Sequence, residues 1–322
     1  MAAKTVSTFT THAVKRYLKR AERYEKTVIH DRNPEDLHQM RVNLRKLRTV
    51  IQVFAPGICL PQSGREPQIA AISRKLGKLR DLDVIRATLQ KQYLPDLPDK
   101  ERKTLAAILE GLSKRRKKLV KKTKSTLRSD RYQAIKKSLY QWTSHPIHSN
   151  IVILNMDVIL PDLTLPSMSR LWLHPGWLVR VKQAGNKLKP EEDLSPSEVD
   201  GLVADQGKIL HSLRKLVKRV RYQLRLISEF YGDCFEDDLV KLTALQEVLG
   251  SLQDSRVMED FLDQVCPDWQ TSLPTLKALL AHNRHRAWQQ WQELQRYYLE
   301  PQNRDSLRQC LIQPESKRTE AS

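Results

Sequence analysis

Two short stretches of this 322-residue chain repeat one arrangement of anion-binding side chains. His38, Arg41, Arg45 and Arg48 are spaced His-x2-Arg-x3-Arg-x2-Arg, and His211, Arg214, Lys218 and Arg221 repeat the spacing with a lysine in third place. Guanidinium forks grip phosphate oxygens two at a time, so a row of them suits a ligand with regularly spaced phosphates. Lys46, Lys215, Arg219 and Arg225 are further cations on the same segments that can join them. A third basic stretch, 114–124 (KRRKKLVKKTK), has 8 Lys or Arg in 11 residues. It reads equally as part of the anion site, as a solvated helix face or as a nuclear-targeting-like patch.

The spacing has meaning on a helix. At about 100° per residue, positions 38, 41, 45 and 48 fall within an arc of roughly 80° over about 15 Å of axis. Leu37, Met40, Leu44, Leu47, Ile51 and Phe54 fill a second arc of roughly 100°, centred only about 110° from the first. A stripe serving solubility alone lies opposite the core face. This one flanks it, so its charges are expected to line a groove beside packed helices. The second stretch repeats the geometry with Leu210, Leu213, Val217, Val220, Leu224 and Ile227 as its core arc. Clustered like charges beside a core call for a compensating anion. Asp81 and Asp254, each expected to pair with an Arg of its own half, are too few to supply it.

The elements carrying these stripes are duplicated. Residues 37–54 align with 210–227 at an offset of 173, and the same offset without a gap places 72–85 on 245–258. Gly77 then falls on Gly250, Asp81 on Asp254 and Val84 on Val257. Two helical halves facing each other across an approximate twofold follow, with the two stripes forming one long positive channel. Helices are expected near 3–29, 34–55, 67–92 and 100–142 (the last broken near Ser129), then near 198–231, 236–265, 271–298 and 303–312. Asn33 caps the second of these, Pro34 opens it, and Glu35 and Asp36 occupy its first turn. It is expected to stop at Pro56-Gly57, and its counterpart at Gly232. The organisation is thus an N-terminal half (1–142), a connector (143–197), a C-terminal half (198–312) and a disordered polar tail (313–322). The connector holds six prolines, a β-branched run from Ile151 to Ile159 and the sequence His174-Pro175-Gly176-Trp177. It reads as irregular with one extended segment. Trp172, Leu173 and Trp177 are expected to anchor it to the core, the alternative being that they stack on a ligand or another protein.

Composition agrees. With 56 Lys+Arg against 37 Asp+Glu the formal charge is +19, which points to a polyanionic partner. Only 10 glycines argue against a strand-rich fold. The apolar run Ile151–Leu160 is too short to cross a bilayer, and the first residues lack the apolar core of a secretory signal. Four scattered cysteines (Cys59, Cys234, Cys266, Cys310) are expected to be reduced and buried in a cytoplasmic protein.

LHQMRVNLRKLR and LHSLRKLVKRVRY, each followed by an LG-x3-D segment, resemble the two signature helices of the CHAD domain (conserved histidine α-helical domain). The resemblance covers most of 1–142 and 198–312. It implies an all-α fold of two pseudo-twofold-related four-helix bundles and a basic central surface that binds inorganic polyphosphate. The implied binding positions are His38, Arg41, Arg45, Arg48, His211, Arg214, Lys218 and Arg221. Tyr222 is read as a packing residue that could lend a hydroxyl at the channel edge.

No metal or cofactor is expected. Arginines surround His38 and His211, and Arg284 and Arg286 surround His282 and His285, which repels a divalent cation. Both stripe histidines are expected to be neutral donors at neutral pH, gaining charge as anion binds or pH falls. There is no GxxxxGK[ST] loop, no GxSxG elbow and no Glu-x-Glu-x-Lys strand of a triphosphate-processing domain. The expected function is therefore non-catalytic polyphosphate binding, in the cytoplasm and at polyphosphate granules, with no membrane association. The alternatives are an RNA- or DNA-binding protein, disfavoured by sparse aromatics and the lack of a known fold signature, and a phosphoanhydride-processing enzyme with a histidine phosphoacceptor.

Overall fold

The structure, a computed structural model, describes residues 5–185, 187–191 and 193–314. It is all-α apart from one two-stranded hairpin among these residues. In chain order the helices are α1 (Val6–Arg23), α2 (Glu25–His30), α3 (Pro34–Val53), α4 (Glu66–Thr88), α5 (Asp99–Arg128), α6 (Asp130–Ser144) and α7 (Met156–Trp172). The hairpin β1 (Val181–Ala184) and β2 (Lys187–Pro190) precedes α8 (Pro196–Ile227), α9 (Glu236–Val265), α10 (Trp269–Ser272), α11 (Pro274–Leu299) and α12 (Pro301–Ile312).

Helix ends follow local chemistry. The Asn33 side chain accepts a hydrogen bond from the Glu35 amide at 2.9 Å, ahead of Pro34 in the first turn of α3. After α3 the chain turns at Gly57, where a Cβ would come within 2.7 Å of Val152. Ser129 separates α5 from α6 and caps the latter by accepting from the Tyr132 amide. Ser195 and Glu198 form a capping box at the start of α8. Gly232, at φ 55°, makes the turn into α9.

The chain divides into two compact units, Met1–Pro95 with Leu105–Ile159, and Asp96–Thr104 with Leu160–Ser322. In the first unit α3 packs against α1 and α4, and α6 closes on α1. In the second, α8, α9 and α11 pack on one another. α4, α5 and α6 begin at 66, 99 and 130, and α9, α11 and α12 at 236, 274 and 301, close to the repeat offset throughout.

The region 143–197 departs from the expected irregular connector. The β-branched run is not extended: Asn150–Ile153 is a 3-10 turn and Met156 opens a 17-residue helix. α7 holds Pro161 and Pro166 internally, each costing about 3 kcal/mol in a helix interior. Burial of Met156, Ile159, Leu160, Met168, Leu171 and Trp172 offsets that cost. The extended segment is the later hairpin, where Glu191 pairs with Arg180 (2.9 Å) and Lys182 (2.6 Å).

The cysteine expectation is also corrected. Cys234 and Cys310 form a disulfide joining the α8–α9 turn to α12, while Cys59 is exposed and Cys266 half-buried. Their separation of 76 residues hid the pairing. Of the tail, Gln313 and Pro314 are described, and the rest of 313–322 lies outside the described residues.

Candidate functional site

α3 buries the whole apolar arc, from Leu37 to Phe54. His38, Arg41, Arg45 and Arg48 are all half-buried, neither in the core nor on its far side. The Arg41 Nη1 donates to the Ser73 carbonyl at 2.7 Å, and its guanidinium lies against Gly77 so closely that a Cβ there would sit 2.7 Å from Nη1. Ser73, Gly77 and Asp81 share one face of α4. Burial lowers the pKa of Arg41, Asp81 opposes this, and Arg80 and Arg48 add to it. Arg48 has an acidic partner: its Nε donates to Glu66 Oε1 at 2.7 Å, across the entry to α4.

The second stripe has the same frame and different partners. Leu210, Leu213, Val217, Val220, Leu224 and Ile227 are buried, and His211, Arg214, Lys218 and Arg221 half-buried. Arg214 lies on Gly250 as Arg41 lies on Gly77, with Nη2 and Nε at 2.9 and 3.2 Å from the position of a Cβ. Arg221 donates from Nε to Gln246 Oε1 (3.1 Å) and from Nη1 to Thr243 Oγ1 (3.4 Å), and it stacks over the Tyr222 ring at 5.0 Å. Among the described residues neither Arg214 nor Arg221 meets a carboxylate. Buried atoms His211 Nδ1 and Arg214 Nε have no hydrogen-bond partner. A proton on a buried, unpaired Nδ1 is costly, which leaves Nε2 as the donor of a neutral ring. Accordingly burial holds the His211 pKa below its ordinary value, helped by Lys215 and Arg214 and opposed by Asp254.

The further cations expected to join the stripes are placed differently from them. Lys46 and Arg219 occupy matched positions about 120° around the helix from the stripe centre, on the other flank of the core arc. Lys46 accordingly lies over the Tyr17 ring of α1 at 5.9 Å, and Arg219 is exposed. Lys215 is exposed as well, and exposed Arg225 pairs with Glu236 at 2.9 Å. In the 114–124 run, Arg116 is held by Asp31 (2.6 Å) and Asp83 (2.7 Å), which raise its pKa. Asp83 is roughly 200° around α4 from Asp81, so this run meets α4 away from Arg41. Lys117, Lys118, Lys121 and Lys122 are exposed.

The remaining motifs are structural. Trp177 is buried, donates from Nε1 to the Leu171 carbonyl at 2.7 Å and stacks on Trp291 at 5.5 Å; Leu173 is exposed. Arg284 is buried against Asp200, Glu259 and Ser255, and His285 bonds the Leu194 carbonyl at 2.9 Å. Among the described residues no three His, Cys, Asp or Glu side chains converge as a metal site, and no helix is long and apolar enough to cross a membrane. Sequence reasoning missed Glu66, Thr243, Gln246 and the seating role of the two glycines. Of these only the glycines carried a signal, since a helix-internal glycine marks a close approach.

The CHAD domain profile matches residues 12–263. The crystal structure of the CHAD domain from the plant Ricinus communis aligns with 98% of this chain and 95% of its own, at 23% identity and a TM-score of 0.57. PptA from Streptomyces chartreusis aligns with 91% of this chain and 99% of its own, at 17% identity and a TM-score of 0.63. At these identities the two structures show a shared fold. No curated protein matches the chain.

Proposed function

The chain belongs to the CHAD domain family, and we propose that it binds inorganic polyphosphate, without cleaving it, along the basic stripes of α3 and α8. One observation carries the reading: Arg214 and Arg221 stand half-buried beside the core with no carboxylate partner among the described residues. Half-buried guanidinium groups without counter-ions are costly alone and favourable once phosphate oxygens reach them. The binding positions are His38, Arg41, Arg45 and Arg48 on α3, and His211, Arg214, Lys218 and Arg221 on α8. Lys46, Lys215 and Arg219 serve at most as outlying charge. Phosphoanhydride cleavage draws on carboxylates that hold Mg²⁺, and of the carboxylates near the stripes Glu66 is taken up by Arg48.

A competition titration tests this. Long-chain polyphosphate should leave the protein only at high salt, and heparin, RNA and orthophosphate should compete much less well. RNA of equal charge competing as well as polyphosphate would overturn the specificity. Chain shortening on incubation with Mg²⁺, or an acid-labile phosphoprotein, would overturn the non-catalytic reading. The reading also places the protein in the cytoplasm at polyphosphate granules, which a fluorescent fusion in granule-forming cells would check.

A further inference from the structure

The matched glycines explain how a flexible side chain becomes a fixed anion donor. Gly250 lies in the interior of α9 and Gly77 in the interior of α4, where glycine is disfavoured for backbone reasons. Neither has a positive φ, so turn geometry does not require them. What each does is admit a guanidinium. Arg214 approaches Gly250 through Nη2, and Arg41 approaches Gly77 through Nη1, at distances of 2.9 and 2.7 Å from where a Cβ would stand, so that a side-chain carbon would force the guanidinium to shift.

The two seats differ in what else holds the arginine. Arg41 has a second tie, its 2.7 Å hydrogen bond to the Ser73 carbonyl. Arg214 makes no hydrogen bond or ion pair among the described residues. At the matched position, Gln246, the main-chain carbonyl takes no bond from Arg214 among the described residues, and the side chain is engaged by Arg221. The surface of α9 at Gly250 is therefore the main thing that aims Arg214.

We infer that Gly250 and Gly77 are positioning residues for the polyphosphate ligand, acting through Arg214 and Arg41, and that Gly250 has the larger effect. This rests on the polyphosphate reading above. A methyl group at 250 displaces the end of a flexible side chain, which the fold tolerates easily. It removes the flat seat that presents the fork, and with it one two-point phosphate contact.

The experiment is a double-mutant cycle on the full chain, with long-chain inorganic polyphosphate as ligand. Gly250→Ala should keep the thermal midpoint at or above that of wild type, because alanine favours the helix. It should weaken polyphosphate binding about tenfold, the cost of one charge-assisted contact. The slope of log affinity against log salt should fall by up to about one unit. In an Arg214→Lys background, where no planar head needs the seat, the same substitution should change affinity by less than about twofold. Gly77→Ala should cost less than Gly250→Ala. Wild-type affinity and slope in Gly250→Ala, or an equal loss in the Arg214→Lys background, would overturn the inference and leave the functional reading standing. Should Gly77→Ala prove the more harmful, the ranking falls. Wild type that does not bind polyphosphate at all overturns the functional reading, and this inference with it.

Discussion

The α3–α4 and α8–α9 pairs share a backbone plan and differ in how much charge they leave uncompensated. In the first pair Arg48 is neutralised by Glu66, and Arg41 is tied to a main-chain carbonyl. In the second, Arg221 is held by the neutral Gln246 and Thr243, and Arg214 lies on Gly250 with no hydrogen bond or ion pair among the described residues. Neutral partners fix a guanidinium without cancelling it, so its field stays available to an incoming anion. The repeat keeps the frame, and the residues around it differ in charge.

Reversing Arg214 and Arg221 to Glu should weaken polyphosphate binding about a hundredfold or more, two charge-assisted contacts being lost and two repulsions gained. The same reversal of Arg41 and Arg48 should cost distinctly less, because Arg48 already shares its charge with Glu66. Combining all four should abolish binding, with the helical circular dichroism intact. Equal losses from the two doubles would show that the carboxylate partner does not set the difference.

Glu66→Gln keeps a hydrogen-bond acceptor for Arg48 Nε but removes the negative charge, making the first pair resemble the second. Polyphosphate affinity should rise about fivefold, read by isothermal titration at fixed salt. Unchanged or weaker binding would mean that Arg48 serves α4 and not the ligand.

Helical period and repeat made most of this frame legible in advance. The arcs of α3 and α8 needed only the rotation per residue, and both core arcs are buried as the rotation requires. α3 was legible at its start because Asn33, Pro34, Glu35 and Asp36 act on their own backbone within one turn. α7 was not, since Pro161 and Pro166 speak locally against a helix and only tertiary burial of Leu160, Met168 and Leu171 overrules them. The Arg48–Glu66 pair was hidden for a related reason. Glu66 falls outside both matched windows, and its proximity to Arg48 depends on how α4 enters. Lys46 shows what the angle adds to a count of charges: one residue beyond Arg45, it lies over the Tyr17 ring.

His211 should make the second stripe respond to pH. Its pKa in the ligand-free fold lies below the ordinary value of 6.5, chiefly through burial. As pH falls through 6.5 the unfolded chain takes up the proton first, so the ligand-free protein loses stability there. Bound polyphosphate reverses the sign by favouring the imidazolium. Affinity should therefore rise, about threefold, between pH 7.5 and 5.5. His211→Gln should flatten the rise, and a profile unchanged in that variant would remove His211 from the site.

The smallest expected effect on binding separates the stripes from a feature the repeat does not share. Cys234 and Cys310 staple the second half, and the matched positions of the first half are Pro61 and Lys137. A bond closing a loop of this size contributes about 2–4 kcal/mol, chiefly by restricting the unfolded chain. Cys310→Ser, or wild type in reductant, should therefore melt about 5–10 °C lower by calorimetry. The Cys234–Cys310 bond lies beyond the C-terminal end of α8, away from His211 and Arg214, so polyphosphate affinity at 25 °C should change by less than about twofold. A matching loss of affinity would show that the aim of Arg214 depends on the staple, and the contrast between the two pairs would then be partly one of rigidity.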